Sequence, residues 1–492
     1  MEGSALSAEG AEMASKDGIG VLLGDQRKGL LALALPLGIA LFIQQINNLV
    51  DSLWVSGLGS DHMAAVGIVS PIYVAMVGIG CGLGIGISAA ISRYIGKGEP
   101  ASANRMAGQG LLLTLVISAV LTAVLLITAS PMLALFGAGD ILPLCLEYAI
   151  PIYIGTIFIV LSGVMSGMLR GEGAARRSMY IQTAGAVANL ILDPILIYVL
   201  GMGVAGAAWA TVIALAITSV IPFFWYSFKK DTYVKIEKRY LRNDRSARGD
   251  ILSVGLPEML ELSLMSLFNV LLNYFVIMCG GTDAVAVFTT GWKVVALGIV
   301  PAQAIGGALV SICSAEYGMR RFDAITDAFR YSLRIDLTAM LVIALAIVAI
   351  SEPIAILFTT GDGMSYLRGD LREMFIFMAI FLPVFSLVYP CSSLMQGLRK
   401  AGQAMINTIF RNILITVLFA AVAFTIADIQ WVWAMLIVGE MIGGLMMWAH
   451  SRTVLRDVLR KENRRLKWDE TRVKAVKTNN DENITPSSEA TI

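Results

Sequence analysis

NLILDPILIYVLGMGVAGAAWAT spans residues 189–211. Nearly every position is apolar, yet Asp193 stands in the first arm with Pro194 beside it, and Thr211 closes the second. The arms meet at Gly201-Met202-Gly203, a short neutral joint that reads as a tight reversal. Asp193 lies nine residues before Met202 and Thr211 nine residues after it. At 1.5 Å of helical rise per residue, both sit about 13 Å below that turn. The stretch reads as a hairpin of two membrane-crossing helices with ionisable and hydroxyl oxygens at depth.

Working outward, the rest of the chain repeats the pattern. Of 492 residues, 57% are hydrophobic and 15% charged, and the mean hydropathy is +0.74. Soluble domains carry roughly a quarter charged residues, so the deficit describes the solvent. Apolar runs long enough to cross roughly 30 Å of hydrocarbon recur between short polar joints. Their continuous apolarity, without alternation, excludes a membrane β-barrel. The expected spans are 29–56, 63–92, 107–130, 141–169, 178–200, 204–228, 251–279, 284–314, 333–358, 372–398, 403–427 and 429–451.

Lys and Arg sort the joints into two classes. Those around Arg93 to Arg105, Arg170 to Arg177, Lys229 to Arg248, Arg320 to Arg334 and Arg399/Lys400 are basic. So are the regions beginning at Arg27/Lys28 and Arg452. Alternate joints near Gly59, Gly137, Met202, Gly281 and Ile429 carry no such charge; Arg368 and Arg372 are the exceptions. The positive-inside rule then expects a multi-pass protein of the cell membrane with both termini cytoplasmic. The start of the chain lacks the pattern of a cleaved signal, so the first helix is expected to be its own insertion signal.

Phe228 to Asp250 holds eight basic residues and divides the spans six and six. Leu35-Pro36 matches Leu256-Pro257, and Leu169-Arg170 with Gly173 resembles Leu398-Arg399 with Gly402. The expected fold is therefore all-α integral membrane: twelve transmembrane helices in two pseudo-symmetric six-helix bundles around a central cavity. The divisions are a polar segment 1–26, an N-terminal bundle 27–228, a basic linker 229–250, a C-terminal bundle 251–452 and a charged cytoplasmic tail 453–492. From Lys461 that tail is expected to be disordered, its basic stretch close enough to the bilayer to meet anionic lipid.

A charge inside an apolar span costs roughly 2.5–3.5 kcal/mol on insertion scales, so each asks for a reason. Asp51 and Asp193 are the clearest. Gln44, Asn47 and Asn48 share the helical face of Asp51, and Asn189 that of Asp193. Asp51 lies eight residues before Gly59, at a depth comparable to Asp193. Asp51, Asn189, Asp193 and Thr211 can thus converge as a hard oxygen site for a small monovalent cation, or for a proton shared between carboxyls. Polar residues also serve merely to hold helices together, but no basic residue on those helices neutralises the two aspartates at that depth. A scaffold without transport would gain nothing from their cost.

Elsewhere, Glu258, Glu261, Lys293, Arg411 and Glu440 lie in C-terminal spans, where mutual pairing competes with a cavity role for Glu261 and Lys293. Gly78, Gly82 and Gly86 make a smooth face for close helix approach. The five cysteines fall in or beside apolar spans without metal or disulfide spacing. No Walker, redox or nucleophile–base motif occurs, so an enzyme is not expected; nor is a cofactor or nucleic-acid partner.

On these residues the chain resembles the multidrug and toxic compound extrusion (MATE) transporters, in particular their archaeal and DNA-damage-inducible-protein branch, over roughly residues 27–450. The carriers are Pro36 fifteen residues before Asp51, the run Asn189 to Thr211, GTDAVAV at Gly281 to Val287, and the Gly-x-x-Arg type joints. The resemblance implies two six-helix bundles facing a central cavity. It implies cation-coupled export of organic, often cationic or amphipathic, compounds against inward Na+ or H+. The expected partners are small organic solutes and membrane lipids, and the expected working state is a monomer. Asp51, Asn189, Asp193 and Thr211 match the family's N-bundle cation and proton positions, and Pro36 its helix-1 bend. Carboxylates that the other main branch uses in its C-terminal bundle have no match here. A lipid-linked precursor flippase of the same superfamily is the nearest alternative, although the basic cavity it needs has only Lys293 and Arg411 as candidates. The acidic-arginine signature of a major-facilitator carrier is absent from GKGEPASANR.

Overall fold

A computed structural model describes residues 18–229, 232–242, 244–359 and 365–482. Segments 1–17 and 483–492, at the two ends of the expected polar segment and tail, lie outside the described residues. Among those described, every regular element is helical. The twelve spans are α1 (Gln26–Ser56), α2 (Ser60–Gly96), α3 (Pro100–Leu135), α4, α5 (Ala175–Val199), α6 (Gly203–Lys229), α7 (Arg245–Gly281), α8 (Asp283–Gly318), α9 (Phe322–Phe358), α10 (Ser365–Gly397), α11 (Ala401–Thr425) and α12 (Ile429–Glu462). Span α4 is broken: Gly139–Ile154 and Thr156–Gly171 are bent by 49° at Gly155. The helices form the two six-helix bundles that the charge pattern and repeats imply.

Most helices overrun the expected spans at the basic joints. The tenth begins at Ser365 on the opposite side, and the last continues to Glu482. The disorder expected from Lys461 is therefore replaced by helix as far as the description extends. Both halves begin alike. Asp25 caps α1 by accepting from Arg27 N at 3.0 Å and Lys28 N at 2.9 Å. Asp244 caps α7 by accepting from Ser246 N at 3.0 Å and Ala247 N at 3.1 Å. Each carboxylate satisfies donors that a helix N-terminus leaves free, and each is held below the usual carboxylate range by those bonds.

Four helix ends at the basic joints close with one motif. Spans α2, α4, α8 and α10 end at Gly96, Gly171, Gly318 and Gly397. Two residues later the backbone turns left-handed, at Gly98 (φ 72), Gly173 (φ 83), Arg320 (φ 59) and Arg399 (φ 61). In each, the next N–H reaches back five residues: Glu99 to Tyr94, Ala174 to Leu169, Arg321 to Glu316, and Lys400 to Met395. That is the Schellman closure, in which glycine is the unstrained choice. Matched by these turns, Gly173 stands opposite Arg399. The Leu-Arg repeat in the sequence had aligned Gly173 with Gly402, three residues further along.

Helix α2 uses its glycines on two faces. A Cβ at Gly82 would meet Met259 N at 2.6 Å, one at Gly86 would meet Ile251 O at 2.5 Å, and one at Gly78 would meet Leu262 Cβ at 3.0 Å. All three partners are on α7, across the bundle boundary. Gly80 and Gly84 instead abut Val160 and Gly163 of α4 inside the N-terminal bundle. Other close cross-bundle approaches pair Gly29 with Ile312, Gly38 with Ala304, and Gly96 with Ala315. Each of these lies in the half of its helix nearest the basic joints. The bundles are therefore zipped at that end, and the Asp51 end of α1 lies beyond the zip.

Candidate functional site

Asp51 on α1 and Asp193 on α5 face each other within the N-terminal bundle. Asp193 is 1% exposed, and Asn189, one turn before it, 3%. The two carboxyls lie close enough to interact directly, an arrangement that a shared proton or a bridging cation would stabilise, since two bare carboxylates repel. Asp51 Oδ1 and Asp193 Oδ2 are buried without a hydrogen-bond partner among the described residues. Neither carboxyl has a salt bridge there either, so the site presents open negative oxygen to something small.

The surroundings lock α1 to α5 on both sides of this pair. Below it, Asn47 Nδ2 donates to Asn189 Oδ1 at 2.5 Å, and Asn189 Nδ2 donates to Asp193 Oδ1 at 3.1 Å. Above it, Tyr198 donates its hydroxyl to the Trp54 carbonyl at 2.5 Å, with the two rings edge to face at 6.1 Å. Pro194 follows Asp193 and has no N–H, so the carbonyl one turn earlier loses its helical donor. Beyond it the helix widens, Leu200 N donating to Ile195 O at 2.9 Å.

The oxygen set differs in detail from the four-residue convergence read from sequence. Asn189 spends its amide oxygen on Asn47 and its amide nitrogen on Asp193, so it orients the carboxylate. Thr211 turns its hydroxyl back to Ala207 O at 3.1 Å, although it lines the same cavity. That cavity, of about 170 Å³, is also lined by Gln44, Asn47, Asn48, Asp51 and Asn189. Its wall includes Arg170, which the sequence assigns to a joint. Among the described residues no cluster of three or more His, Cys, Asp or Glu could hold a metal ion. Two carboxyls with neutral oxygens suit a proton or a hard monovalent cation instead. Pro36 is buried inside a continuous α1.

A second cavity, of about 270 Å³, is lined mostly by the C-terminal bundle, with Trp292, Phe381, Phe385 and Tyr389 in its wall and Gln45 of α1 at its edge. Arg411 and Glu440 line it and pair at 2.8 Å, both side chains almost wholly buried. Glu258 accepts from Gln396 Nε2 at 2.5 Å. Glu261 and Lys293 are not among the residues lining either cavity, and Lys293 is exposed. The five cysteines are all free. One group escaped the sequence reading: Asp336 on α9 is fully buried, and neither oxygen has a partner among the described residues. Its position three residues inside the expected ninth span, beside Arg334, was the available signal.

Known proteins resemble the chain throughout its membrane region. The MatE family profile matches residues 36–195 and 257–422. A FAD transporter of Shewanella oneidensis is 27% identical over 70% of this chain and 77% of its own length. The multidrug export protein MepA of Staphylococcus saprophyticus is 25% identical over 68% of this chain and 72% of its own. A crystal structure of a MATE in complex with MaL6 superposes with a TM-score of 0.88 at 33% identity, covering 90% of this chain and 99% of that one.

Proposed function

This chain belongs to the multidrug and toxic compound extrusion (MatE) family of transporters, and from that premise we propose that it is an antiporter exporting organic, cationic or amphipathic compounds against inward Na+ or H+. It is a multi-pass membrane transporter, not an enzyme. The coupling reading rests on one observation: Asp51 and Asp193 lie side by side in one bundle, and each keeps a buried carboxyl oxygen without a hydrogen-bond partner among the described residues. A proton or sodium ion entering from the side away from the basic joints neutralises that pair. Without its charge, α1 repacks against α5 and α6, bending at Pro36, and the cleft loses affinity for its solute. Such coupling requires the ion to bind the two states unequally, since equal affinity shifts nothing.

The zipped basic end and the position of the carboxyls fit an outward-facing state, with both termini cytoplasmic. Aromatic walls in the C-terminal cavity suit flat apolar solutes, and its Arg411 is already matched by Glu440. That leaves little free positive charge there for the diphosphate of a lipid-linked precursor. The chain is read as a working monomer, with membrane lipids as its surroundings.

The decisive measurement is efflux from proteoliposomes carrying Asp193→Asn, under an imposed sodium gradient at fixed pH and, separately, a proton gradient without sodium. Gradient-driven efflux should fall at least tenfold, as an order of magnitude for losing a coupling carboxylate. Efflux that still follows either gradient unimpaired removes the assigned role, and the arm that responds in the unmodified protein names the ion.

A further inference from the structure

We propose that the pocket between the bundles at the basic joints binds a phosphate group and clamps that end shut. Its volume is about 270 Å³. Arg93 and Lys97 at the end of α2, Arg320 after α8 and Arg399 after α10 line it, against the carboxylates Asp250 and Glu462. The formal excess is two positive charges, which matches a phosphate monoester.

Two independent features mark it as more than a closed gate. Arg93 is 2% exposed; it pairs with Asp250, yet its Nη1 is buried without a hydrogen-bond partner among the described residues. Asp250 also forms an ion pair with Arg399, Nη2 to Oδ1 at 2.5 Å, so one carboxylate is shared between two guanidiniums. The second feature is the backbone. At four matching helix ends the left-handed position is glycine in the N-terminal half, at Gly98 and Gly173, and arginine in the C-terminal half, at Arg320 and Arg399. A side chain there is held against its steric preference. Both arginines line this pocket, and Arg320 has no ion-pair partner among the described residues. A planar guanidinium fork suits phosphate oxygens better than any other common anion-binding side chain.

The phosphate can arrive on a lipid headgroup or on a small soluble ester, and the same cations would hold either. Since Arg93 belongs to one bundle and Arg320 and Arg399 to the other, the ligand would favour the state in which this end is closed.

The test uses the full chain. In neutral detergent, inorganic phosphate and glycerol 3-phosphate are titrated by calorimetry. In nanodiscs of phosphatidylcholine with or without phosphatidic acid, retained lipid is counted by native mass spectrometry. Arg320→Gly restores the residue found at the matching N-terminal turns, so its melting temperature should not fall, while binding weakens on the order of tenfold. Lys97→Gln, outside the strained turn, should weaken binding in the same direction. Binding of the soluble phosphates identifies a small ester, and retention of phosphatidic acid alone identifies a headgroup; either supports the site. Absence of both from the unmodified protein, or equal binding by Arg320→Gly and Lys97→Gln, overturns it.

Discussion

Asn47 and Asn189 are joined side chain to side chain across two helices, Nδ2 to Oδ1 at 2.5 Å, and Asn189 passes the contact on to Asp193 at 3.1 Å. These two bonds tie Asp193 to α1, the helix that also carries Asp51 and Pro36.

Removing that link should uncouple the transporter without unfolding it. Asn47→Ala leaves the Asn189 oxygen unpaired, a loss of about 1–3 kcal/mol for a buried acceptor. Solute should still bind in detergent with little change. Gradient-driven efflux from proteoliposomes should drop several-fold, and unchanged efflux would mean that the Asn47–Asn189 bond transmits nothing.

The two glycine faces of α2 should fail in different ways. A Cβ at Gly84 would collide with Gly163 O inside the N-terminal bundle, so Gly84→Ala should lower the melting temperature. Gly82→Ala presses on Met259 across the bundle boundary. It should leave melting nearly unchanged while opening the end beside the basic joints, read as faster thiol labelling of a cysteine placed at Ser253. Equal melting losses for both would contradict the assignment of faces.

Arg411 and Glu440 pair at 2.8 Å inside the C-terminal bundle. Arg411→Ala should cost about 3–5 kcal/mol, because it abandons a buried carboxylate. The double change Arg411→Met with Glu440→Leu should recover most of that in thermal melts. A double variant no better than the single one would show that the pair is required for stability beyond its charge.

Glu172, in the turn after α4, is buried, and burial pushes its carboxyl up to about 7 despite hydrogen bonds from Val234 N and the Tyr226 hydroxyl. Between its ordinary value and about 7 the folded chain holds this proton more tightly than the unfolded chain does. Stability therefore falls as pH rises through that window. The melting temperature should drop by a few degrees from pH 5 to pH 8, and Glu172→Gln should flatten that part of the profile. A variant whose profile keeps the full slope would assign the titration elsewhere.

Much of the membrane architecture could be read from the chain because it depends on local quantities. Apolar run length sets the spans, the side on which Lys and Arg collect sets the order of the joints, and Gly201-Met202-Gly203 with Asp193 and Thr211 sets relative depth. These follow from transfer energies and helical rise, which need no partner. The same logic exposed Asp51 and Asp193, since a carboxylate in an apolar span stands out wherever its neighbours fall. Asp336 was legible on that ground and was missed beside Arg334.

Tertiary structure decided what spacing cannot express. It joined Asn189 to both Asn47 and Asp193 and turned the Thr211 hydroxyl toward its own helix, because each side-chain direction answers to the helix packed against it. It left Lys293 outside both cavities and aligned Gly173 with Arg399, since turn geometry sets that register. It also gathered Arg93, Arg320 and Arg399 from three separated joints into one pocket. Composition reports how many charges lie on a side of the membrane; only the packing of the two bundles determines which of them share a pocket.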